Sequence, residues 1–269
     1  MRAVVAGGMV SALAAIGLSD AFDVVFGSSA GAICGAYFLA GQTELGIRIF
    51  SEDINNARFV RRSRLLTGAP IIDLDFLVND VMVRVKPLNV DAVLRSPTPL
   101  HVVGTDVASG EARSLDGFAS GDELRSALRA GATMPIVAGG PQPFRGRHYF
   151  DASLSEPIPL RSAIAAGASH VVALLTRPRG VPRRVSWFDR WIIGPRLRRI
   201  QPTLADRYLS RTSPYQAIQD EIESGWSANH RAEILGIRPS ITLSKLEMRS
   251  ARLLDGAQSG SEAVHVALA

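Results

Sequence analysis

Short apolar runs alternate with amphipathic stretches along this chain, and the alternation is the first guide to its architecture. Residues 22–26 (FDVVF) are β-branched and apolar and end at Gly27, the pattern of a buried strand. Residues 100–107 (LHVVGTDV) and 170–176 (HVVALLT) read the same way, with 112–115 as a hairpin partner of the former. Shorter strand signals lie at 149–150, just before Asp151, and at 241–243. Between them the spacing predicts helices over 1–18, 30–40, 44–55, 73–85, 90–95, 121–132, 159–166, 185–200, 214–225, 228–235 and 249–268. Asn89 or Asp91 would cap the helix at 90–95, and Ser120 or Asp122 that at 121–132. Strands alternating with helices predict an α/β fold, a three-layer α/β/α sandwich around a mainly parallel sheet. No composition break divides the chain, so residues 1–269 read as one domain, with 178–184 as the best hinge candidate. No apolar run reaches the about 18 residues that a membrane-spanning helix needs.

The junction of the first strand and its helix carries candidate chemistry. Gly27-Ser28-Ser29-Ala30-Gly31 is a G-x-S-x-G string, weak alone but set where a strand stops and a small-residue helix starts. That is the setting of a nucleophile elbow. The tight turn calls for glycine at 27 and 31, where a side chain would meet the neighbouring strand or helix. Ser29 would then project as nucleophile, with the Ala30 amide placed for an oxyanion and Ser28 structural. A glycine-rich turn or a phosphate-binding loop reads from the same string.

A serine nucleophile needs a base. Of His101, His148, His170, His230 and His265, only His148 stands in a plausible loop. The 28 residues before Ser29 are too few for the strands that precede an elbow in α/β-hydrolases. Asp151, at a strand end, is the leading candidate; a turn or helix-cap aspartate is the alternative. One cysteine, Cys34, excludes a disulfide framework and a multi-cysteine zinc site, and neither metal nor other cofactor is expected.

Taken in order, these segments resemble the patatin-like phospholipases, lipid acyl hydrolases with a Ser–Asp dyad. GSSAGA at 27–32, preceded by Phe22-Asp23, resembles the family's elbow. LHVVGTDVASGEARSL at 100–115, LRAGATMP at 128–135, FDASLSEPIPL at 150–160 and AGASHVVALLTRP at 166–178 resemble four further segments. The resemblance covers about residues 1–176 and thins after Pro178. It implies Ser29 as nucleophile, Asp151 as base, a lipid ester as substrate and an acyl-enzyme intermediate. Ala152 and Ser153 depart from the commoner D-G-G and D-G-A. The family's oxyanion loop, G-G-G-x-R/K-G, lies about 26 residues before the nucleophile, and Arg2 lies 27 before Ser29. Met1-Arg2-Ala3 then falls on the end of that loop, and the expectation is that the first strand and the glycine loop lie upstream of Met1. Two rivals stay open: Gly7-Gly8 as a substitute loop, or a natural variant lacking a strand and much activity.

Charge sharpens the reading of the second half. The chain has formal charge +5, with 30 basic residues of which only Lys86 and Lys245 are lysine. Residues 177–211 hold ten arginines against Asp189 and Asp206, a local +8 that leaves about −3 elsewhere. Within that segment Trp187, Phe188 and Trp191 sit among Arg190, Arg196, Arg198 and Arg199. Aromatic and basic residues on one short helix suit an anionic membrane surface or a lid over the acyl site. A helix that buries its aromatics and solvates its arginines is the alternative. No binding motif accompanies the charge, so nucleic acid is not expected. The expectation is a cytoplasmic enzyme, peripheral at the inner membrane face, divided into a motif-bearing part (1–178) and a helical, basic part (179–269). The alternative from another class is a membrane- or lipid-binding protein without a complete oxyanion hole.

Overall fold

A computed structural model describes residues 1–181, 184–244 and 246–269. Pro182 and Arg183, inside the hinge candidate, and Lys245 lie outside the described residues. The chain opens with helix α1 (Val4–Ala15), followed by strand β1 (Val25–Ser28) and helix α2 (Ala30–Leu39). Helix α3 (Thr43–Arg48) widens into a π-helical turn, Ile49–Asp53. A longer π-helical stretch, Phe76–Val85, precedes helix α4 (Val90–Arg95), whose N-terminus is capped by Asn89 accepting from the Ala92 amide at 3.1 Å.

The central sheet is built on strand β2 (Leu100–Asp106). β1 runs parallel to it, and strand β3 (Ala112–Leu115) returns antiparallel as the expected hairpin. Helix α5 (Gly121–Ala132), capped by Ser120, packs on β2. Strands β4 (Gln142–Phe144) and β5 (Arg147–Asp151) form a second hairpin, and β5 joins β2 antiparallel. Helix α6 (Leu160–Ala165) leads to strand β6 (His170–Leu174). After the π-helical turn Asp189–Ile193 come helices α7 (Gly194–Ile200), α8 (Pro202–Ser210) and α9 (Thr212–Ser224). Strand β7 (Glu233–Ile237) pairs parallel with β6, and helix α10 (Ser250–Leu268) closes the chain. The α/β class expected from the alternation is the class observed. Parallel pairing occurs where a helical crossover joins the strands, at β1–β2 and β6–β7, and antiparallel pairing in the hairpin-derived ladders.

Register decides what meets at the centre. Val102 and Val103 pair with β1 and β3 at once, and Gly104 and Thr105 with β3 and β5 at once. A strand has two edges, so β1 and β5 share the edge opposite β3 and abut end to end. Ser28 stands beside Val103 and Asp151 beside Gly104.

Three apolar clusters hold these elements. The largest joins α1, α2, α5 and α10 over the sheet. α1 and α10 approach backbone to backbone: a Cβ on Gly8 would lie 2.0 Å from the Ala257 carbonyl oxygen, and one on Gly260 2.2 Å from that of Val5. The second cluster packs Ile193, Leu197, Leu204, Ala205 and Tyr208 against Phe150 and Leu154. The third buries Leu160, Ala173, Leu175, Ile218, Ile222 and Ile234 around β6 and β7.

Two sequence expectations are corrected. Residues 228–235 are not a helix: Glu233–Ile237 is a strand that buries Ile234, between the exposed Glu233 and Leu235, and Ile237. The turn before it is held by Ser227 Oγ, which accepts from the Arg231 and Ala232 amides, each at 3.0 Å. Residues 241–243 join no ladder among the described residues; Leu243 is buried against Gly256 of α10 instead. The helical run continues through Gly194-Pro195, from the π-helical turn into α7. The Gly194 amide bonds to Asp189 five residues back, and this π register absorbs the missing proline donor.

Candidate active site

Ser29 occupies the sharp turn between β1 and α2, with φ 56° and ψ −132°. This is a strained conformation for a residue with a Cβ, and such strain is kept only where the surroundings over-determine it. The surroundings are tight on one side: a Cβ on Gly27 would lie 2.2 Å from Ala32 Cα. The Ser29 carbonyl accepts from the Ala32 amide at 3.0 Å, so the turn passes directly into the helix. The Ala30 and Gly31 amides stand at the N-terminus of the ten-residue α2, where the helix dipole favours negative charge. The steric expectation holds for Gly27 and fails for Gly31, whose added Cβ would meet nothing within 4 Å.

Asp151 ends β5 and is fully buried. Its amide donates to the Thr133 carbonyl at 2.9 Å, and its carbonyl accepts from Thr105 Oγ1 at 2.9 Å. Thr105 Oγ1 also pairs with Ser155 Oγ at 2.7 Å. One carboxylate oxygen, Oδ1, accepts from the Ser153 amide at 2.7 Å. The other, Oδ2, is buried with no hydrogen-bond partner among the described residues. A buried, unsatisfied carboxylate oxygen is costly and calls for a reason. Asp151 does cap the short 3-10 turn Ala152–Leu154, as the alternative reading held, but with one oxygen only.

The register brings the two strand ends together. Ser28 and Asp151 occupy consecutive positions along the same edge of β2, a rise of about 3.3 Å per residue. Ser29 is the next residue of the turn that departs from that point. A strained serine at a helix N-terminus thus follows the end of one strand, and the half-satisfied buried Asp151 ends the strand that abuts it.

Other predicted site residues lie elsewhere. Gly7 and Gly8 are buried inside α1; the Gly7 amide donates to Ala3 and Gly8 packs on α10, so neither forms a loop. Their smallness serves helix packing, which corrects the substitute-loop expectation. Arg2 precedes α1 and donates from Nε to Thr176 Oγ1 at 3.2 Å. His101 contacts Ser114 and Asp116, His170 is beside Ser169 and Glu233, and His230 stacks near Trp226. His148 and His265 are exposed. Trp187 and Trp191 are 69% and 63% exposed, and Arg190, Arg196, Arg198 and Arg199 are exposed with them. Phe188 departs from that set: it is partly buried and packs on the Ile193–Leu197 cluster. Among the described residues no group of three His, Cys, Asp or Glu could hold a metal ion, and no helix is long and apolar enough to cross a membrane.

Two features escaped the sequence reading. Thr105 was visible only as part of a strand, yet it anchors the Asp151 peptide. The loop after α5 runs beside Asp151 through Thr133 and holds Ile136 at φ 69°, unusual for a β-branched residue. The only signal for it was the segment 128–135.

Comparison with known proteins bears on this arrangement. The family model described as patatin-like phospholipase matches residues 1–164, which include both Ser29 and Asp151. The chain is 26% identical over 211 residues to YjjU, an uncharacterised protein of Escherichia coli (strain K12), covering 75% of this chain and 56% of that protein. It is 30% identical over 139 residues to the 1-acylglycerol-3-phosphate O-acyltransferase Pnpla3 of Mus musculus, covering 51% of this chain and 33% of that protein. The chain thus spans about half and about a third of the length of these curated relatives.

Proposed function

The chain belongs to the patatin-like phospholipase family, and from that premise we propose that it is a lipid acyl hydrolase working through Ser29 and Asp151. Ser29 Oγ attacks the ester carbonyl carbon while its proton passes to Asp151 Oδ2. The Ala30 amide, at the positive end of α2, donates to the oxyanion that develops on the carbonyl oxygen. The carbon–oxygen bond to the leaving alcohol breaks, and the proton on Asp151 goes to that oxygen. Water then attacks the acyl-serine, giving its proton to Asp151, and the fatty acid leaves as Ser29 recovers its hydroxyl proton.

The observation that carries this reading is the buried Asp151 Oδ2 without a partner among the described residues, at the register position next to the elbow. A carboxylate needed only for capping has no use for a second oxygen held out of solvent. The name of the mouse relative adds a variant of the second half-reaction: an acceptor hydroxyl on a glycerolipid could take the place of water. The same acyl-serine serves both outcomes.

Incubation of the purified chain with phospholipid and lysophospholipid, followed by mass spectrometry of products, tests the proposal. Released fatty acid is expected from the wild type and not from Ser29→Ala or Asp151→Asn. New acylated glycerolipid in place of fatty acid would identify transfer. Product formation by Ser29→Ala at the wild-type rate would remove the serine from the mechanism.

A further inference from the structure

The arginine–tryptophan segment has no role in the chemistry above, yet it is fixed to the strand that carries Asp151. Ile193 and Leu197 are buried on one side of the helical stretch and pack with Phe150 and Leu154, the neighbours of Asp151 in sequence. Two large apolar rings of the same stretch stay in solvent. Trp187 and Trp191 lie four residues apart and are 69% and 63% exposed, so they share one face; Arg190 lies beside them and Arg198 one turn further on. Tryptophans exposed to this degree, side by side on one helical turn, form a patch that a protein in water seldom leaves uncovered.

The charge around the patch is held open on one sign. The two acids of the segment are committed inward or to one partner: Asp189 accepts from Tyr208 and Ser186 and pairs with the buried Arg211 at 2.8 Å, and Asp206 pairs with Arg198 at 2.9 Å. Arg190, Arg196 and Arg199 have no acidic partner among the described residues. Arg196 also lines a cleft of about 270 Å³ with Pro70, Ile136 and Gly139, so the charge continues from the helix towards the loop beside Asp151.

We propose that the exposed face of this helix, with Trp187 and Trp191 inserted at the lipid–water interface and Arg190 and Arg199 beside them on lipid phosphates, docks the protein on an anionic bilayer. Tryptophan suits the interface because its ring is apolar and its N–H polar. Arginine suits it because its guanidinium binds phosphate oxygens in pairs. Helix and Asp151 strand share one apolar cluster, so the docked face and the strand that carries Asp151 move as one body. The inference rests on the proposed lipid substrate only for its purpose; binding itself needs no catalysis.

The test uses vesicles of phosphatidylcholine alone and of phosphatidylcholine with about 30 mol % phosphatidylglycerol, which gives them a negative surface potential. Sedimentation is expected to pull down the wild-type chain with the anionic vesicles only, with a blue shift of tryptophan emission. Raising salt from 0.1 M to 1 M shortens the screening length from about 10 Å to about 3 Å and is expected to weaken binding at least tenfold. Trp187→Ala/Trp191→Ala and, independently, Arg190→Glu/Arg199→Glu should each lower the bound fraction about tenfold or more, with unchanged far-ultraviolet circular dichroism. Ser29→Ala should bind like the wild type, which separates this surface from the hydrolytic reading. Equal binding by the tryptophan variant, or equal binding to neutral vesicles, would overturn the proposal. So would absence of vesicle binding together with a dimer in sedimentation that the tryptophan variant dissociates, since the patch would then be covered by a second copy.

Discussion

Ser29 and its neighbours show how single atoms set the elbow. A Cβ at 27 would overlap backbone, because Ala32 Cα lies 2.2 Å from its place, and backbone at a helix start cannot move aside cheaply. Gly27→Ala is therefore expected to destabilise the fold by at least about 1–3 kcal/mol, the usual cost of overpacking, and to lower activity with it. Gly31 is different: its Cβ has open space and its backbone is helical, so Gly31→Ala is expected to be neutral or to stabilise by up to about 1 kcal/mol. Urea denaturation of the two variants checks both signs. The G-x-S-x-G string showed the turn but made the two glycines look equivalent; only the packing around Ala32 separates them. Thr105 makes a similar point from the other side of the dyad. Its hydroxyl donates to the Asp151 carbonyl and touches Ser155, so Thr105→Val leaves two polar atoms short of a partner. A loss of about 1–3 kcal/mol is expected, with a lower kcat and little change in KM, and Thr105→Ser should restore both. Equal kcat in the valine variant would show that the Asp151 peptide is held without it.

At the scale of elements, the molecule relies on close approach between helices. The seam between α1 and α10 has Gly8 and Gly260 facing backbone oxygens. Gly260→Ala would place a methyl 2.2 Å from the Val5 oxygen, forcing the helices apart over their buried contact. The expected cost is about 1–3 kcal/mol or more, read from the urea midpoint. A midpoint equal to wild type would mean that the seam yields. The amphipathic helices and the apolar strands were legible in the sequence, down to the Asn89 and Ser120 caps. The β4–β5 hairpin was only half legible, because Pro141 precedes and Pro143 interrupts its first strand and the tight turn at Arg145–Gly146 leaves short runs. β7 was misread because Ala-Glu-Ile-Leu favours a helix locally, while pairing with β6 and burial of Ile234 and Ile237 decide for a strand. The end-to-end meeting of β1 and β5 lay beyond sequence reasoning altogether, since it depends on register between segments far apart in the chain.

For the whole molecule, charge pattern matters more than net charge. The basic surplus sits within residues 177–211, and several carboxylates elsewhere are held below their usual range by arginine. The hydrogen bond from Arg145, with that from the Ala119 amide, pulls Glu123 down to about 2, and Arg249 does the same for Glu247, again to about 2. A carboxylate lowered by folding stabilises the fold above its ordinary value near 4.5, and that contribution is lost as pH falls towards 2, because the unfolded chain takes up protons first. Glu156 acts oppositely: burial pushes it up, so its contribution is present below 4.5 and lost as pH rises through its folded value. With more groups lowered than raised, the urea midpoint is expected to fall between pH 4.5 and pH 2, and Glu123→Gln to flatten part of the slope. A midpoint constant over that window would contradict the ion-pair account.

The most direct test of the central claim is covalent. A fluorophosphonate should phosphonylate the chain once, and intact-mass and peptide analysis should place the adduct on Ser29. Ser29→Ala should gain no mass, and Asp151→Asn should react about 10²- to 10⁴-fold more slowly, the usual loss when a general base is removed. Labelling of Ser29→Ala at the wild-type rate, or of Asp151→Asn without slowing, would contradict the dyad.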